Sequence, residues 1–219
     1  FGTAQDHKRV GERDTGPNTG GMGAYSPSSI INNILEKKIR KKIIEPTLNG
    51  LKKMNHPYRG FLYAGLMITN NEPYLIEYNV RMGDPECQTI MTLLETDLVN
   101  IIEAAIAGKI SDLEISWKKE KSMCIVLCSK GYPNTYKKNI EIDKIDNLIL
   151  DKKSLVFHAG TYEKNGKIYS NGGRVLNFVT LSNSLREARK KGSSLIKKLN
   201  WNNGFFRKDI GWKSIINNK

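Results

Sequence analysis

Two stretches of this chain carry groups suited to chemistry. The first is Asp14-Thr15-Gly16-Pro17-Asn18-Thr19-Gly20-Gly21-Met22-Gly23-Ala24-Tyr25-Ser26-Pro27. Four glycines within eight residues let backbone N–H groups approach a ligand, and several aimed one way would form an anion nest. The run lacks the Gly-Lys-Ser/Thr end of a P-loop and the glycine spacing of a dinucleotide fingerprint. Its plain alternative is a turn-rich surface loop, although so long a structureless stretch in a compact domain favours function. The second stretch is Glu77-Tyr78-Asn79-Val80-Arg81. On a strand, residues 77, 79 and 81 share one face, with Ile76, Tyr78 and Val80 on the other. A carboxylate beside an amide oxygen offers the hard donors that Mg²⁺ takes while keeping waters and sharing phosphate oxygens. Arg81 beside them could clamp a carboxylate or phosphoryl group by two parallel hydrogen bonds. The same alternation is also what any half-buried strand with a polar outer face displays.

Lesser clusters surround these. Asp6-His7-Lys8-Arg9 gathers polar groups at a strand end just before the glycine-rich run, where His7 reads as a base or as a hydrogen-bonded structural histidine. His158-Ala159-Gly160-Thr161 and Asn171-Gly172-Gly173-Arg174 read either as a second glycine-plus-polar site or as two tight turns between strands. No Ser-His-Asp, Cys-His or HExxH pattern is present, which disfavours hydrolases of those types.

The elements that must position these residues follow from pattern. Phe1–Val10 reads as a strand leading into a loop over Gly11–Pro27. Asn32 or Asn33 caps a helix with Leu35, Ile39, Ile43, Leu48 and Leu51 on one side, which Pro46 should bend or divide. Gly60–Thr69 and Tyr74–Met82 form an antiparallel hairpin turning at Asn70–Asn71. Asp84-Pro85-Glu86 is a helix-start signal, with Asp84 as N-cap, and helical patterns run to about Gly108 with a break near Thr96. After a boundary in Lys109–Lys119 come strands at Ser122–Ser129, Ser154–Ala159 and Gly173–Thr180, turns at Gly131-Tyr132-Pro133 and Asn165-Gly166, and an amphipathic helix over Ser184–Leu199. The fold class expected is α+β for both parts.

Composition is that of an ordinary globular protein: 39% hydrophobic and 26% charged residues over 219 positions exclude global disorder and fibrous classes. No apolar stretch approaches the ~20 residues of a membrane span, and no signal peptide opens the chain, so a soluble cytoplasmic protein is expected. The chain starts at Phe1 inside what reads as a folded unit, as a piece of something longer would. Its net charge of +13 is lopsided: residues 1–110 hold 13 basic and 12 acidic side chains, and residues 111–219 hold 22 and 10. That invites a nucleic-acid-binding reading, but the lysines are scattered with few aromatics between them, as on a solvated surface. Cys87, Cys124 and Cys128 match neither a disulfide framework nor a zinc site, and the last two fit as core thiols on one strand.

Taken together, these blocks resemble one family. Gln5-Asp6-His7-Lys8-Arg9-Val10, Asp14–Pro27, Gly65-Leu66-Met67 and Glu77 through Glu86 are similar, in order, to phosphoribosylamine–glycine ligases, ATP-grasp enzymes of purine biosynthesis also called glycinamide ribonucleotide synthetases. His158–Thr161, Asn171–Val175 and Arg207-Lys208-Asp209-Ile210-Gly211 resemble that family's C-terminal domain. The resemblance implies residues 1–113 as the C-terminal part of an ATP-grasp domain, an antiparallel sheet with helices, and 114–219 as a small α+β C-terminal domain. It implies ATP, glycine and 5-phosphoribosylamine as substrates, with glycyl phosphate as intermediate. It implies Glu77 and Asn79 as ligands of Mg²⁺ or Mn²⁺, and Arg81 as the catalytic arginine near the acyl phosphate. Asp14, Asn18, Thr19, Gly20 and Gly21 are implied as substrate contacts, and Arg174 as a substrate contact from the second domain. Met82 departs from the Phe of many relatives, a tolerable apolar swap. Most of the adenine pocket and the phosphate-gripping lysines would lie upstream of Phe1, so no ligase turnover is expected from these 219 residues alone. The competing classes are a basic nucleic-acid-binding module and an ATP-grasp ligase with another acceptor. No membrane partner is expected, nucleic acid is disfavoured, and oligomeric state is open, monomer included.

Overall fold

The computed structural model describes residues 1–217. These form two compact units that interleave along the chain: Phe1–Ser28, Asp84–Leu93 and the chain from Lys119 make the first, Ser29–Gly83 and Leu94–Lys118 the second. Compactness therefore divides the chain differently from a single cut at 113/114, because the N-terminal strands pair with strands of the second half. In chain order the first unit opens with β1 (Gln5–Asp6), β2 (Arg9–Gly11), β3 (Thr15–Asn18) and β4 (Gly23–Ser26). The second unit supplies α1 (Asn33–Ile39), α2 (Glu45–Lys53), β5 (Tyr63–Thr69) and β6 (Glu72–Asn79). α3 (Glu86–Met91) returns to the first unit and α4 (Leu98–Ile106) to the second. β7 (Lys121–Ser129), β8 (Ile140–Glu141), β9 (Ser154–His158), β10 (Thr161–Lys164), β11 (Lys167–Ser170) and β12 (Arg174–Ser182) continue the first. α5 (Leu185–Leu199), β13 (Gly204–Phe205) and α6 (Trp212–Asn217) complete it. The class is α+β, as the patterns indicate.

The first unit is built on an antiparallel sheet ordered β1-β4-β7-β12-β9, with β13 also on β7. β7 and β12 are buried along nearly their whole length, so both faces are covered and their sequences run apolar without alternation. α5 packs across these two strands. Its Ser184 cap accepts the Glu187 N–H at 3.2 Å, and Ala188, Leu195, Ile196 and Leu199 are buried. Each of the larger three contributes about 1.5–3 kcal/mol by burial. Gly192 lets helix and sheet approach, since a Cβ there would lie 3.2 Å from Ile125 Cδ1. Cys124 and Cys128 are buried free thiols, and burial pushes both upward, Cys128 to about 12. A separate sheet, β10-β11-β8, turns at Asn165-Gly166, both with positive φ.

The run Gly11–Pro27 is not the single loop its composition suggests. It contains β3, paired with β2, and the fully buried β4, inserted between β1 and β7. Four-residue strands rich in glycine carry no readable alternation, and β4 finds its main partner about a hundred residues away.

In the second unit Asn32 caps α1 by accepting the Leu35 N–H at 2.9 Å. Pro46 has no N–H to donate one turn back, and the helix widens into a π-turn over Arg40–Ile44 just before α2 rather than breaking. β5 and β6 pair antiparallel around Asn70 and Asn71, whose φ values of 52° and 58° suit a two-residue hairpin turn. Lys38 and Lys42 both hold Glu72 at the start of β6. Asp97 caps α4 by accepting the Val99 N–H, so the break near Thr96 is real.

Candidate active-site residues

Glu77 and Asn79 stand on β6 of the second unit. The pairing joins Gly65 to Glu77 but Leu66 to Leu75, leaving Ile76 as an extra residue, a β-bulge directly before Glu77. The bulge resets the alternation, so Leu75, Ile76 and Glu77 are all exposed. Tyr78 turns towards the helices, its hydroxyl 2.8 Å from Thr47 Oγ1 and donating to the Ile43 carbonyl at 3.1 Å. Glu77 and Asn79 then meet on the opposite side, Asn79 Nδ2 donating to Glu77 Oε1 at 3.0 Å. Gly65 makes room for them, since a Cβ there would lie 3.2 Å from Glu77 Cγ.

Arg81 does not extend that face. β6 ends at Asn79, opposite the first residue of β5, and without a ladder partner the chain leaves the strand. Arg81 Nη1 donates to the Met82 carbonyl at 3.0 Å.

These two oxygen-bearing side chains suit a hard divalent cation, one carboxylate and one amide oxygen on adjacent heads. Among the described residues no group of three or more His, Cys, Asp or Glu is placed to hold a metal. A cation here would take two protein oxygens and complete its shell from water and phosphate, which is the way Mg²⁺ is commonly held.

The glycine-rich run lies in the first unit, and its backbone N–H groups are engaged over residues 19–22. Thr19 N–H donates to the Lys8 carbonyl at 2.7 Å, Gly20 N–H to Tyr132 Oη at 2.9 Å, Gly21 N–H to Thr19 Oγ1 at 3.0 Å and Met22 N–H to the His7 carbonyl at 2.9 Å. The nest expected from glycine content is therefore not formed at residues 19–22: these N–H groups point to protein acceptors. Asn18 is exposed on the β2–β3 hairpin. Arg174 Nη1 donates to the carbonyls of Gly20 at 3.0 Å and Asp84 at 2.8 Å, and Nη2 to Asp84 Oδ2 at 2.6 Å. Asp84 is thus not the N-cap expected of it. Pro85 holds that position without a side-chain cap, and Asp84 accepts from Arg174 and from Gln88 Nε2.

Asp14 sits at the other end of the hairpin with φ 59°. Its Oδ1 faces Arg207 at 3.1 Å and its Oδ2 Lys213 at 2.8 Å. Burial works to raise its pKa, but hydrogen bonds from Lys213 and Arg207 outweigh this and hold it below the usual range.

Asp6 lies beside Gly21, where a Cβ would meet its Oδ1 at 2.9 Å. Burial, then the Glu86 carboxylate, lifts Asp6 to about 6 against the pull of Lys8, whose Nζ is 2.6 Å away. His7 is buried; its Nε2 accepts the Gly211 N–H at 3.0 Å, while its buried Nδ1 has no hydrogen-bond partner among the described residues. Burial, then the Arg207 guanidinium, pushes it down to about 4, so it is neutral near pH 7. His158 closes a turn with Thr161 at 2.8 Å.

Tyr132 and the pairing of Asp84 with Arg174 were not foreseen. The only sequence signal for Tyr132 was its turn, and the partners of both lie about ninety or more residues away.

The fold is of the class that includes biotin carboxylase of Campylobacter jejuni, which superposes with a TM-score of 0.54 at 11% identity, over 84% of this chain and 39% of that one, a likeness of fold alone. Within that class, residues 1–87 match the family model for the phosphoribosylglycinamide synthetase ATP-grasp (A) domain, and residues 122–213 the model for its C domain. A relative from Agrobacterium fabrum, a phosphoribosylamine–glycine ligase, is 48% identical over 217 residues, covering 99% of this chain and 51% of the relative. The crystal structure of phosphoribosylamine–glycine ligase from Thermotoga maritima matches with a TM-score of 0.82 and 38% identity, over 94% of this chain and 50% of that one. The chain belongs to the phosphoribosylglycinamide synthetase family, and it spans about half the length of the relatives it matches.

Proposed function

We propose that the full-length protein carrying this chain joins glycine to 5-phosphoribosylamine at the expense of ATP. A glycine carboxylate oxygen takes the γ-phosphoryl group as the bond to ADP breaks. The amine nitrogen then attacks the carbonyl of glycyl phosphate, a C–N bond forms, the nitrogen gives up a proton, and phosphate leaves. Such transfer rests mostly on positioning and charge stabilisation. The observation that carries this reading is the meeting of Glu77 and Asn79 on one exposed strand face, within the segment that matches the family's ATP-grasp domain. These two residues would hold Mg²⁺ or Mn²⁺, which when bound neutralises phosphate charge. Arg81 is the candidate catalytic arginine, and Asp14, Asn18, Thr19, Gly20 and Gly21 the candidate loop for glycine and the ribosylamine. Arg174 uses three of its five N–H donors on Gly20 and Asp84, which favours support of that loop. Domain limits at 1–113 and 114–219, and a cytoplasmic location, belong to the same proposal.

No helix among the described residues is long and apolar enough to cross a membrane. The test is ADP release by the purified full-length protein with ATP, glycine and phosphoribosylamine, against the same mixture with other amino acids. Turnover that needs glycine supports the assignment. Turnover with a different carboxylate in its place assigns another acceptor, and none with any carboxylate overturns the ligase reading.

A further inference from the structure

Gly20 has no side chain by which a protein could hold it, and two side chains from the segment matching the family's C domain hold its backbone instead. Tyr132 Oη accepts its N–H at 2.9 Å, and Arg174 Nη1 donates to its carbonyl at 3.0 Å. Both are themselves fixed. Tyr132 packs its ring against Gly173, where a Cβ would fall 2.1 Å from its ring carbon Cδ2, and that ring meets the ring of Tyr136 edge-on at 6.3 Å. Arg174 stands beside a register shift in β12, where it pairs with Cys128 but Leu176 pairs with Leu127. Such a bulge re-aims the side chain next to it. Its guanidinium is then anchored on the carbonyl and carboxylate of Asp84.

We propose that Tyr132 and Arg174 are positioning residues that lock the Thr19-Gly20-Gly21 backbone, so that the C-domain segment sets the geometry of the loop receiving the acceptor substrates. The proposal rests on the loop's role given under Proposed function. A glycine-rich segment has the most conformational freedom to lose, and fixing it beforehand removes that cost from binding. Gripping the peptide groups on either side of one glycine is the most direct way to do so without contacting a ligand. A tie serving only cohesion would change stability and leave substrate affinities alone.

The test compares full-length wild type with Tyr132→Phe, which keeps the ring on Gly173 and removes only the hydroxyl. Loss of one hydrogen bond predicts a KM for glycine or phosphoribosylamine raised about five- to tenfold, with the KM for ATP within about twofold of wild type. Amide hydrogen exchange at Gly20, slow in the wild type, becomes faster by a similar factor. Unchanged acceptor KM values, an equal rise for ATP, or unaltered exchange at Gly20 each overturn the proposal. If Tyr132→Phe fails to fold, Arg174→Lys, which shortens the reach to the Gly20 carbonyl, takes its place, and the same KM and exchange outcomes decide. A wild type without glycine-dependent turnover defeats the functional assignment, whereas an active wild type with an indifferent variant defeats only the lock.

Discussion

Arg207 and Asp209 form a two-pronged ion pair, Nε to Oδ1 at 2.8 Å and Nη2 to Oδ2 at 2.9 Å, around a guanidinium that is 1% exposed. The same guanidinium donates to the Arg9 carbonyl at 2.9 Å and to Asp14, while Asp209 accepts the Arg13 N–H at 2.7 Å. The β2–β3 hairpin is thereby fastened to Arg207 and Asp209 both at Arg9 and at its turn residues Arg13 and Asp14. Burial alone would raise the Asp209 pKa, but Arg207 and the Arg13 N–H outweigh it and hold it below the usual range. Removing the arginine strands a carboxylate and a carbonyl in the interior. Arg207→Leu should therefore cost about 3–5 kcal/mol, the range for breaking one side of a buried pair. Urea unfolding at pH 7 checks this, and a loss below about 1 kcal/mol would mean that the pair is replaceable.

The adjacent residues Asp6 and His7 make opposed contributions to stability in acid. Asp6 is raised from 3.8 to about 6, so the native protein keeps a proton that the unfolded chain releases, and its contribution is lost as pH rises through that interval. His7 is lowered from 6.5 to about 4, so the unfolded chain binds a proton that the native one refuses, and its contribution is lost as pH falls through that interval. Each amounts to about 3 kcal/mol, and over pH 4–6 they nearly cancel. Asp14 and Asp209, both lowered, lose their contributions only as pH falls below the ordinary carboxylate range. Asp6→Asn should then gain stability steeply between pH 4 and 6.5, and His7→Gln should lose it from pH 4 to 6. Unfolding free energies at four or five pH values decide; parallel profiles for all three proteins would refute the opposition.

What could be read from the chain was what local chemistry specifies. Asn32, one of the two asparagines offered, caps α1, the amphipathic pattern marks α5, Asn70–Asn71 and Asn165-Gly166 turn hairpins, and β7 and β12 run apolar because both faces are covered. Glu77 and Asn79 share a face because a two-residue period is fixed by the strand itself. Arg81 was misplaced because strand length depends on a partner, and β5 begins only at Tyr63. Asp84 looked like a cap because its neighbours Pro85 and Glu86 favour one, yet Arg174, ninety residues on, takes its carboxylate. The glycine-rich run showed composition without alternation, so neither β4 nor the engagement of its N–H groups could be foreseen.

Gly173 owes its identity to a ring rather than to backbone conformation. A methyl group there would sit 2.1 Å from Tyr132 Cδ2, so the ring must leave its seat and Tyr132 Oη must leave Gly20. Gly173→Ala should lower stability by about 1–3 kcal/mol, the usual cost of overpacking. Adding Tyr132→Ala to it should recover part of that loss, because the clash disappears with the ring. A thermal-denaturation comparison of the two singles and the double reads the coupling, and strict additivity would show that the contact is not what the glycine serves.

Glu77 separates chemistry from folding most cleanly. Its side chain is exposed, and the one hydrogen bond described for it is that from Asn79, so Glu77→Ala should alter stability by no more than about 0.5 kcal/mol. Glu77→Gln keeps shape and hydrogen-bonding capacity while removing the negative charge that a divalent cation requires. Both variants of the full-length protein should lose turnover by on the order of 100-fold or more, as when a group stabilising transferred charge is removed. If charge is what matters, raising Mg²⁺ should restore Glu77→Gln in part and Glu77→Ala less, since the amide still offers an oxygen. Glycine-dependent ADP release at several Mg²⁺ concentrations measures this. A folded Glu77→Ala protein with wild-type turnover would remove Glu77 from the site, and the hairpin bulge would then need another explanation.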